Sequence, residues 1–422
     1  MTSKLKQFKT KNFRGVLSLL AGNSVARMTT TLGGLLLANY YGPESFGVYN
    51  VFLSYILILS ILSSFRVDSI MILIKDAKQI RNLFSGALII ILLANLVIIS
   101  IMSLLQALDV FHFDLPYYTM FLCGIGSILT GWNLSQYYLF TKYKLFKQIS
   151  FAFALASITS VIFQTLFYFL GWKENGLIYG WMIGLTVSFL YNIGVSRSRI
   201  DKVNFKLLQK SIKENFKVVK YTYPSDSINS IANNIMPILI IAYFSTSEVG
   251  VYAMAFKILS TPLILLASAV GGVYYRRAAD LYEIDNRALE KLTYKVIFSN
   301  VGLIAIFVIL MNTVGIYILE LFLEEGWEDL RSYLIALSFW IIARSAWSAI
   351  SDLDAVMRRN QISLIFNIYL LSVNFVGLFY GVYKNDFIYS AWTFSILSGI
   401  GYLTLTCFVL YYLRKDVIKH AQ

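Results

Sequence analysis

Tyr40-Tyr41-Gly42-Pro43-Glu44-Ser45-Phe46-Gly47-Val48-Tyr49 is echoed by Tyr243-Phe244-Ser245-Thr246-Ser247-Glu248-Val249-Gly250-Val251-Tyr252. The triplets Gly47-Val48-Tyr49 and Gly250-Val251-Tyr252 match at an offset of 203 residues. Each stretch is a short turn between two long apolar runs, and the same offset carries the runs on either side of one turn onto those of the other. A local repeat in so placed a turn predicts a chain built twice, with the second half beginning near residue 221.

Working outward from these turns, about twelve apolar runs are long enough to cross the roughly 30 Å hydrocarbon core, which takes about 18–25 helical residues. They fall near 16–38, 48–73, 83–106, 117–140, 149–170, 176–196, 221–243, 250–273, 296–318, 332–352, 362–383 and 387–413. Lysine and arginine then orient them, because loops left in the cytoplasm hold an excess of both. With the N-terminus inside, the inner segments carry Lys4 to Arg14, Lys75 to Arg81, Lys142 to Lys147, Arg197 to Lys220, Arg276 to Lys295, Arg358-Arg359 and Arg414 to Lys419. The outer turns carry only Lys173, Arg331 and Lys384. A miscounted helix would invert this bias downstream of the error. The expected architecture is therefore an all-α polytopic membrane protein of about twelve transmembrane helices, multi-pass in a bacterial inner (plasma) membrane, both termini cytoplasmic. It divides into an N-terminal lobe at 1–196, a basic cytoplasmic connector at 197–220 and a C-terminal lobe at 221–422. Six helices per lobe make the lobes enter the membrane in the same direction, as in two-lobed transporters with a site between the halves.

Composition excludes several function classes. The 422 residues are 58% hydrophobic and only 14% charged, far from the roughly one-quarter charged residues of soluble domains. The net charge of +13 is accounted for by basic inner loops beside an anionic leaflet, so no nucleic-acid partner is implied. No Gly-Lys dipeptide occurs, which removes a phosphate-binding P-loop. Cys123 and Cys407 lie in apolar runs and read as small buried residues, and His112 and His420 lie far apart in polar segments, so neither a disulfide nor a metal centre is indicated. The connector is too short to hold a core of its own, and no outer turn is long enough for an enzyme's catalytic loop. Asp352-Leu353-Asp354 has the look of a glycosyltransferase acid pair but lies at an inner helix end without a loop to hold a sugar nucleotide.

Charges inside the runs carry the functional reading. A charge at mid-bilayer costs about 2.5–3.5 kcal/mol on insertion scales, so such residues face a bundle interior or water. Arg27 lies mid-way along the first run, Lys257 in the outer half of the eighth and Arg344 mid-way along the tenth. On the first run Asn23, Arg27, Thr30, Thr31 and Gly34 share a helical face. On the seventh, Asp226, Asn229, Ser230, Asn233 and Asn234 form a polar stripe that ends at Pro237. A central cationic cavity is expected, lined by Arg27, Lys257, Arg344, Asn23 and Asn233. Near the inner surface, pairing of Arg66 with Asp68 or of Arg344 with Asp352 is the structural alternative. Asp226, Asp68 and Asp352 are the candidates for coupling to a proton or sodium ion, and no other cofactor is implied.

The small-polar first run, the YYGPESFGVY turn, the Arg66-Val67-Asp68 ending before a basic loop, the basic connector and the outer Leu321-Phe322-Leu323-Glu324-Glu325-Gly326-Trp327 segment resemble polysaccharide flippases of the Wzx type. Those belong to the multidrug/oligosaccharidyl-lipid/polysaccharide exporter superfamily, and the resemblance spans essentially the whole chain. It implies a V-shaped two-lobed fold, alternating access and transfer of an undecaprenyl-diphosphate-linked oligosaccharide repeat unit, for O-antigen or another surface glycan, from the cytoplasmic to the periplasmic leaflet. The partners it implies are that lipid-linked oligosaccharide, membrane lipid and other polysaccharide assembly proteins. By resemblance to the related lipid II flippases, Arg27 holds the place of a cavity-facing arginine, and Lys257 matches a second-lobe cation by position only. The rival readings are a small-molecule or drug antiporter of the same fold and a membrane glycosyltransferase, polymerase or ligase.

Overall fold

The computed structural model describes residues 2–108, 117–323, 325–351, 353–357 and 361–421, with side chains described from 22 to 415 apart from 117, 283, 355, 361 and 363. Among the described residues there is no β-strand. The helices are α1 (Thr2–Ser64), α2 (Ala77–Ala107), α3 (Tyr117–Lys142), α4 (Phe146–Phe169), α5 (Gly176–Ser196), α6 (Phe205–Glu214), α7 (Phe216–Asn234) and α8 (Met236–Tyr243). They continue as α9 (Thr246–Ile284), α10 (Asn286–Leu310), α11 (Ile316–Phe322), α12 (Leu330–Ser348), α13 (Leu353–Val356), α14 (Gln361–Lys384) and α15 (Phe387–Ala421). Helix occupies most of each of the twelve expected ranges, and among the described residues eight helices are long and apolar enough, by length and composition, to cross a membrane. The chain is a multi-pass membrane protein.

Two expected spans stop short. The second run stops at Ser64 rather than at residue 73, because Phe65 and Arg66 adopt positive φ of 44° and 54° before a short 3-10 turn, Val67–Ile72. The tenth stops at Ser348 rather than at 352. One cysteine also departs from expectation: Cys123 is buried, whereas Cys407 is exposed on α15 and fills no core.

Two compact units make up the chain: residues 1–41 with 48–234, and residues 42–47 with 235–422. The division at Asn234–Ile235 lies within the expected seventh span. There Asn234 ends α7 and Pro237, which lacks an N–H and favours a first helical turn, helps start α8. What keeps α7 with the first unit is hydrogen bonding to the end of α1: Tyr223 Oη donates to the Leu62 carbonyl at 3.1 Å and Ser230 Oγ to the Leu57 carbonyl at 3.1 Å. The first unit's core near these contacts is built by Val67, Ile70, Met71, Leu83, Phe84, Leu139, Phe140 and Ile149. In the second unit an aromatic cluster replaces it, with Phe256 stacked on Trp340 at 4.7 Å and Tyr252 edge-on to Phe387 at 5.4 Å.

The two repeated turns are built differently and meet. Gly42 takes φ 69° and ψ 170°, a region open to glycine alone, and kinks α1 ahead of Pro43. The equivalent position, Ser245, instead caps α9: its Oγ accepts from the Glu248 N–H at 3.2 Å while its own N–H donates to Glu248 Oε2 at 2.9 Å, a reciprocal capping box. Within the second unit, a Cβ on Gly47 would strike the Thr246 carbonyl and a Cβ on Gly250 would strike the Pro43 carbonyl. Pro43 and Thr246 are themselves related by the 203-residue offset. The contact is therefore reciprocal, as a two-fold axis between repeated pieces requires.

Gly47→Ala and Gly250→Ala are each expected to lower the unfolding free energy of the purified protein by about 1–3 kcal/mol, the usual cost of overpacking. Gly194→Ala and Gly302→Ala, where a Cβ meets nothing within 4 Å, should leave the thermal midpoint unchanged or raise it. Equal effects at all four positions would refute the close approach.

Candidate functional site

Arg27 and Asn23 lie on the first half of α1, and both line an open cavity of about 470 Å³ within the first unit. The opposite walls come from α3 (Thr130, Asn133, Tyr137), α4 (Ala152, Phe153, Ala156) and α5 (Leu185, Ser188, Asn192). A second cavity of about 220 Å³ shares Asn23 and Arg27 and extends toward Thr30, Ser157 and Trp181. Small residues make room for these spaces: Gly22 abuts Ser150, and Gly184 abuts Ser160 and the Ala156 carbonyl. Such small-residue contacts are how helices approach closely in a membrane.

Hydrogen bonds in the larger cavity are incomplete. Asn192 Nδ2 donates to Asn133 Oδ1 at 2.9 Å, and Asn133 Nδ2 reaches only the Leu185 carbonyl at 3.5 Å. Arg27 Nε, Thr130 Oγ1 and Asn192 Oδ1 are buried without a partner. A buried polar atom left unpaired costs about 1–3 kcal/mol. Three such atoms belong to residues that line one cavity. Arg27 supplies charge and a planar donor fork, the amides supply both donors and acceptors, and Tyr137 stacks on Phe153 at 6.3 Å to make an aromatic wall. Guanidinium, amides and aromatic rings together are the chemistry that holds a sugar bearing an anionic group.

A second cluster forms where α1 ends. Arg66 Nε meets Asp226 Oδ2 at 2.6 Å, and its guanidinium lies 5.3 Å from the Tyr138 ring centre. This corrects the expected pairing with Asp68: the left-handed backbone at Arg66 turns its side chain to α7. Asp68 is fully buried, accepts the Ser69 N–H at 2.9 Å on Oδ1 and has no hydrogen-bond partner for Oδ2. Burial pushes the Asp68 carboxyl up to about 6, against the opposing pull of Arg66.

A family model described as "Polysaccharide biosynthesis protein" matches residues 36–332. The chain belongs to the polysaccharide biosynthesis protein family. Comparison with curated protein sequences gives no match. Among solved structures, an inward-facing multidrug resistance MATE family transporter of the MOP superfamily is 16% identical and has a TM-score of 0.68, covering 96% of this chain and 98% of that one. Lipid II flippase MurJ in an inward closed conformation is 16% identical with a TM-score of 0.69, over 95% of this chain and 89% of that one. A MOP superfamily transporter from Pyrococcus furiosus Vc1 is 17% identical with a TM-score of 0.58, over 97% of each chain. At these identities the likeness establishes the fold.

The other expected site residues are not among those lining the Arg27 cavity. Asn233, on α7, is exposed and donates to the Asn229 carbonyl at 2.8 Å and to Asn229 Oδ1 at 2.6 Å. In the second unit, Lys257 is half-buried on α9 and forms no ion pair among the described residues. Arg344, on the neighbouring α12, has its guanidinium 5.2 Å from the Trp340 ring centre and 5.9 Å from that of Tyr402. Asp352, and with it the Arg344–Asp352 pairing, lies outside the described residues, as does His112. Asn133, Asn192 and Thr130 were not expected. Their signal was available as lone amides and a hydroxyl within otherwise apolar runs.

The Asp68 carboxyl gives a pH test of this cluster. Its folded pKa is above the unfolded value of 3.8, so the fold binds this proton more tightly than the unfolded chain does. That contribution is fully present below 3.8, declines as pH rises and is gone above about 6. Asp68→Asn, neutral at every pH, should therefore raise stability at pH 7.5 by up to about 3 kcal/mol, and the gain should shrink towards pH 5. Thermal midpoints of both proteins across that range check it; a gain that does not vary with pH would exclude a raised Asp68 pKa.

Proposed function

We propose that this protein is a flippase that moves an undecaprenyl-diphosphate-linked oligosaccharide repeat unit from the cytoplasmic to the periplasmic leaflet by alternating access. The observation that carries the reading is Arg27, which lines the 470 Å³ cavity together with amides and aromatic rings and whose buried Nε has no partner. An arginine in a space of low dielectric attracts a diphosphate or an acidic sugar more strongly than it would in bulk water. The prenyl tail stays in lipid while the headgroup enters. Membership of a polysaccharide biosynthesis family favours a glycan headgroup over a free drug molecule.

Lys257 and Arg344 extend the same logic. Each is a cation within a helix of the second unit without an acidic partner among the described residues, and in this reading both face the headgroup during its passage. Arg344, held beside Trp340 and Tyr402, pairs charge with ring faces on which a sugar stacks. Coupling is assigned to Asp68 and Asp226, whose carboxyls meet around Arg66. Proton uptake by Asp68 removes one of the charges that Arg66 balances, and so changes the strength of its tie to Asp226 on α7.

Arg27→Glu should abolish surface glycan while the amount of protein in the membrane is unchanged; Arg27→Lys, which keeps charge but loses the fork, should retain partial display. Normal glycan in the Arg27→Glu strain would remove the cavity from the transport path. Drug sensitivity on deletion, with glycan intact, would favour the antiporter reading.

A further inference from the structure

The basic segment 197–220 is held in a defined place within the first unit. Arg81 Nε pairs with Asp201 Oδ2 at 2.7 Å, and the Asp201 N–H donates to Ser85 Oγ at 3.0 Å. Asn82 and Asn204 clasp each other: Asn82 Nδ2 donates to the Asn204 carbonyl at 3.1 Å and the Asn204 N–H to Asn82 Oδ1 at 2.6 Å. Asn204 also caps α6 through Oδ1, which accepts the Leu207 N–H at 3.1 Å. Leu208 then seats on Gly86, where a Cβ would come within 2.7 Å of its methyl. A loop that only set topology would need its lysines and none of this machinery. The clasp fixes which way α6 faces.

That facing has a pattern. Leu208 and Ser211 are buried against α2, while Lys206, Lys210 and Lys213 point away. At about 100° per residue, Phe205 and Glu214 fall two and a half turns apart, on opposite flanks. Phe205 is 70% exposed, and Phe216 just beyond the helix is 55% exposed, beside Lys217. The helix lies against Asn82 to Gly86, within the first turns of the apolar α2 (Ala77–Ala107), and so at the depth where hydrocarbon gives way to headgroups. An apolar ring on one flank, an acid on the other and lysines between them is the arrangement of a helix lying in a membrane interface.

We propose that α6 is a docked binding surface for anionic phospholipid headgroups, with Phe205 and Phe216 dipping into the acyl boundary and Lys206, Lys210 and Lys213 holding phosphates. The charge complementarity is one-sided: Glu214, the one acid in α6, faces away from the Phe205 flank and lies 3.8 Å from Lys210. The surface stands on the clasp and the helix pattern, not on what the protein transports.

The test uses the full-length protein carrying Cys407→Ser, with either Phe205→Cys or Glu214→Cys labelled with bimane, in nanodiscs of phosphatidylcholine alone or with about one-third phosphatidylglycerol. A blue shift and quenching by spin-labelled lipid are expected at 205 and not at 214, increasing with phosphatidylglycerol. Added salt should reverse the increase, and Lys206→Gln/Lys210→Gln/Lys213→Gln should abolish it. The salt arm reads the same charge interaction without a lysine substitution. Signals at 205 indifferent to phosphatidylglycerol, equal signals at 205 and 214, or a shift in neutral discs that appears only on adding an acidic protein or RNA would each overturn the assignment.

Discussion

Two glycines set the geometry on which the second unit depends. Gly47 and Gly250 occupy equivalent turns, and each lies so close to the other turn's backbone that a single methyl group would not fit. Interiors are packed too tightly to absorb such an intrusion without displacing backbone. The contact also explains why residues 42–47 group with residues 235–422 rather than with the helix that carries them. Phe46 packs edge-on to Trp327 at 5.7 Å, and Gly326 lies against Pro43. The kink at Gly42 is thus both the end of one helix and part of the other unit's packing.

The buried charges follow a different constraint. Hydrocarbon does not solvate a guanidinium, so Arg66 and Arg27 need partners or water. Arg66 finds its partner within the protein, in Asp226 and the Tyr138 ring face. Arg27 keeps one nitrogen unpaired beside a cavity. This contrast separates the two cations by their partners: Arg66, just past the end of α1, is paired, whereas Arg27, within α1, has a nitrogen left over.

The sequence carried the helical architecture, since apolar length and loop charge are strong signals and the repeat sits in a recognisable turn. It also carried Arg27 and Asn23, whose spacing puts them on one face. Asp226 as the partner of Arg66 was not legible, because the two are 160 residues apart and the pairing depends on a left-handed residue at the end of α1, which no local pattern in Phe65-Arg66 announces. Nor was the division at Asn234–Ile235 legible. Basic composition pointed to the connector, whereas hydrogen bonds from Tyr223 and Ser230 to α1 carbonyls tie α7 to the first unit. Asn133 and Asn192 were hidden by their surroundings: an isolated amide in an apolar run acquires meaning only when a second amide faces it.

One unpaired guanidinium nitrogen does not by itself make a transporter. A headgroup shifts a conformational equilibrium only by the difference in its affinity for the two states, and moving a population from one state almost wholly to the other takes about 5.5 kcal/mol of such difference. One charged pair in a partly aqueous cavity supplies a fraction of that. The remainder has to come from elements whose own balance is close, and in the proposed reading the Arg66–Asp68–Asp226 cluster is that element. One cation lies between two acids, one of which is buried with half its carboxylate unpaired, so in that reading gain or loss of a single proton alters the tie between Arg66 and α7.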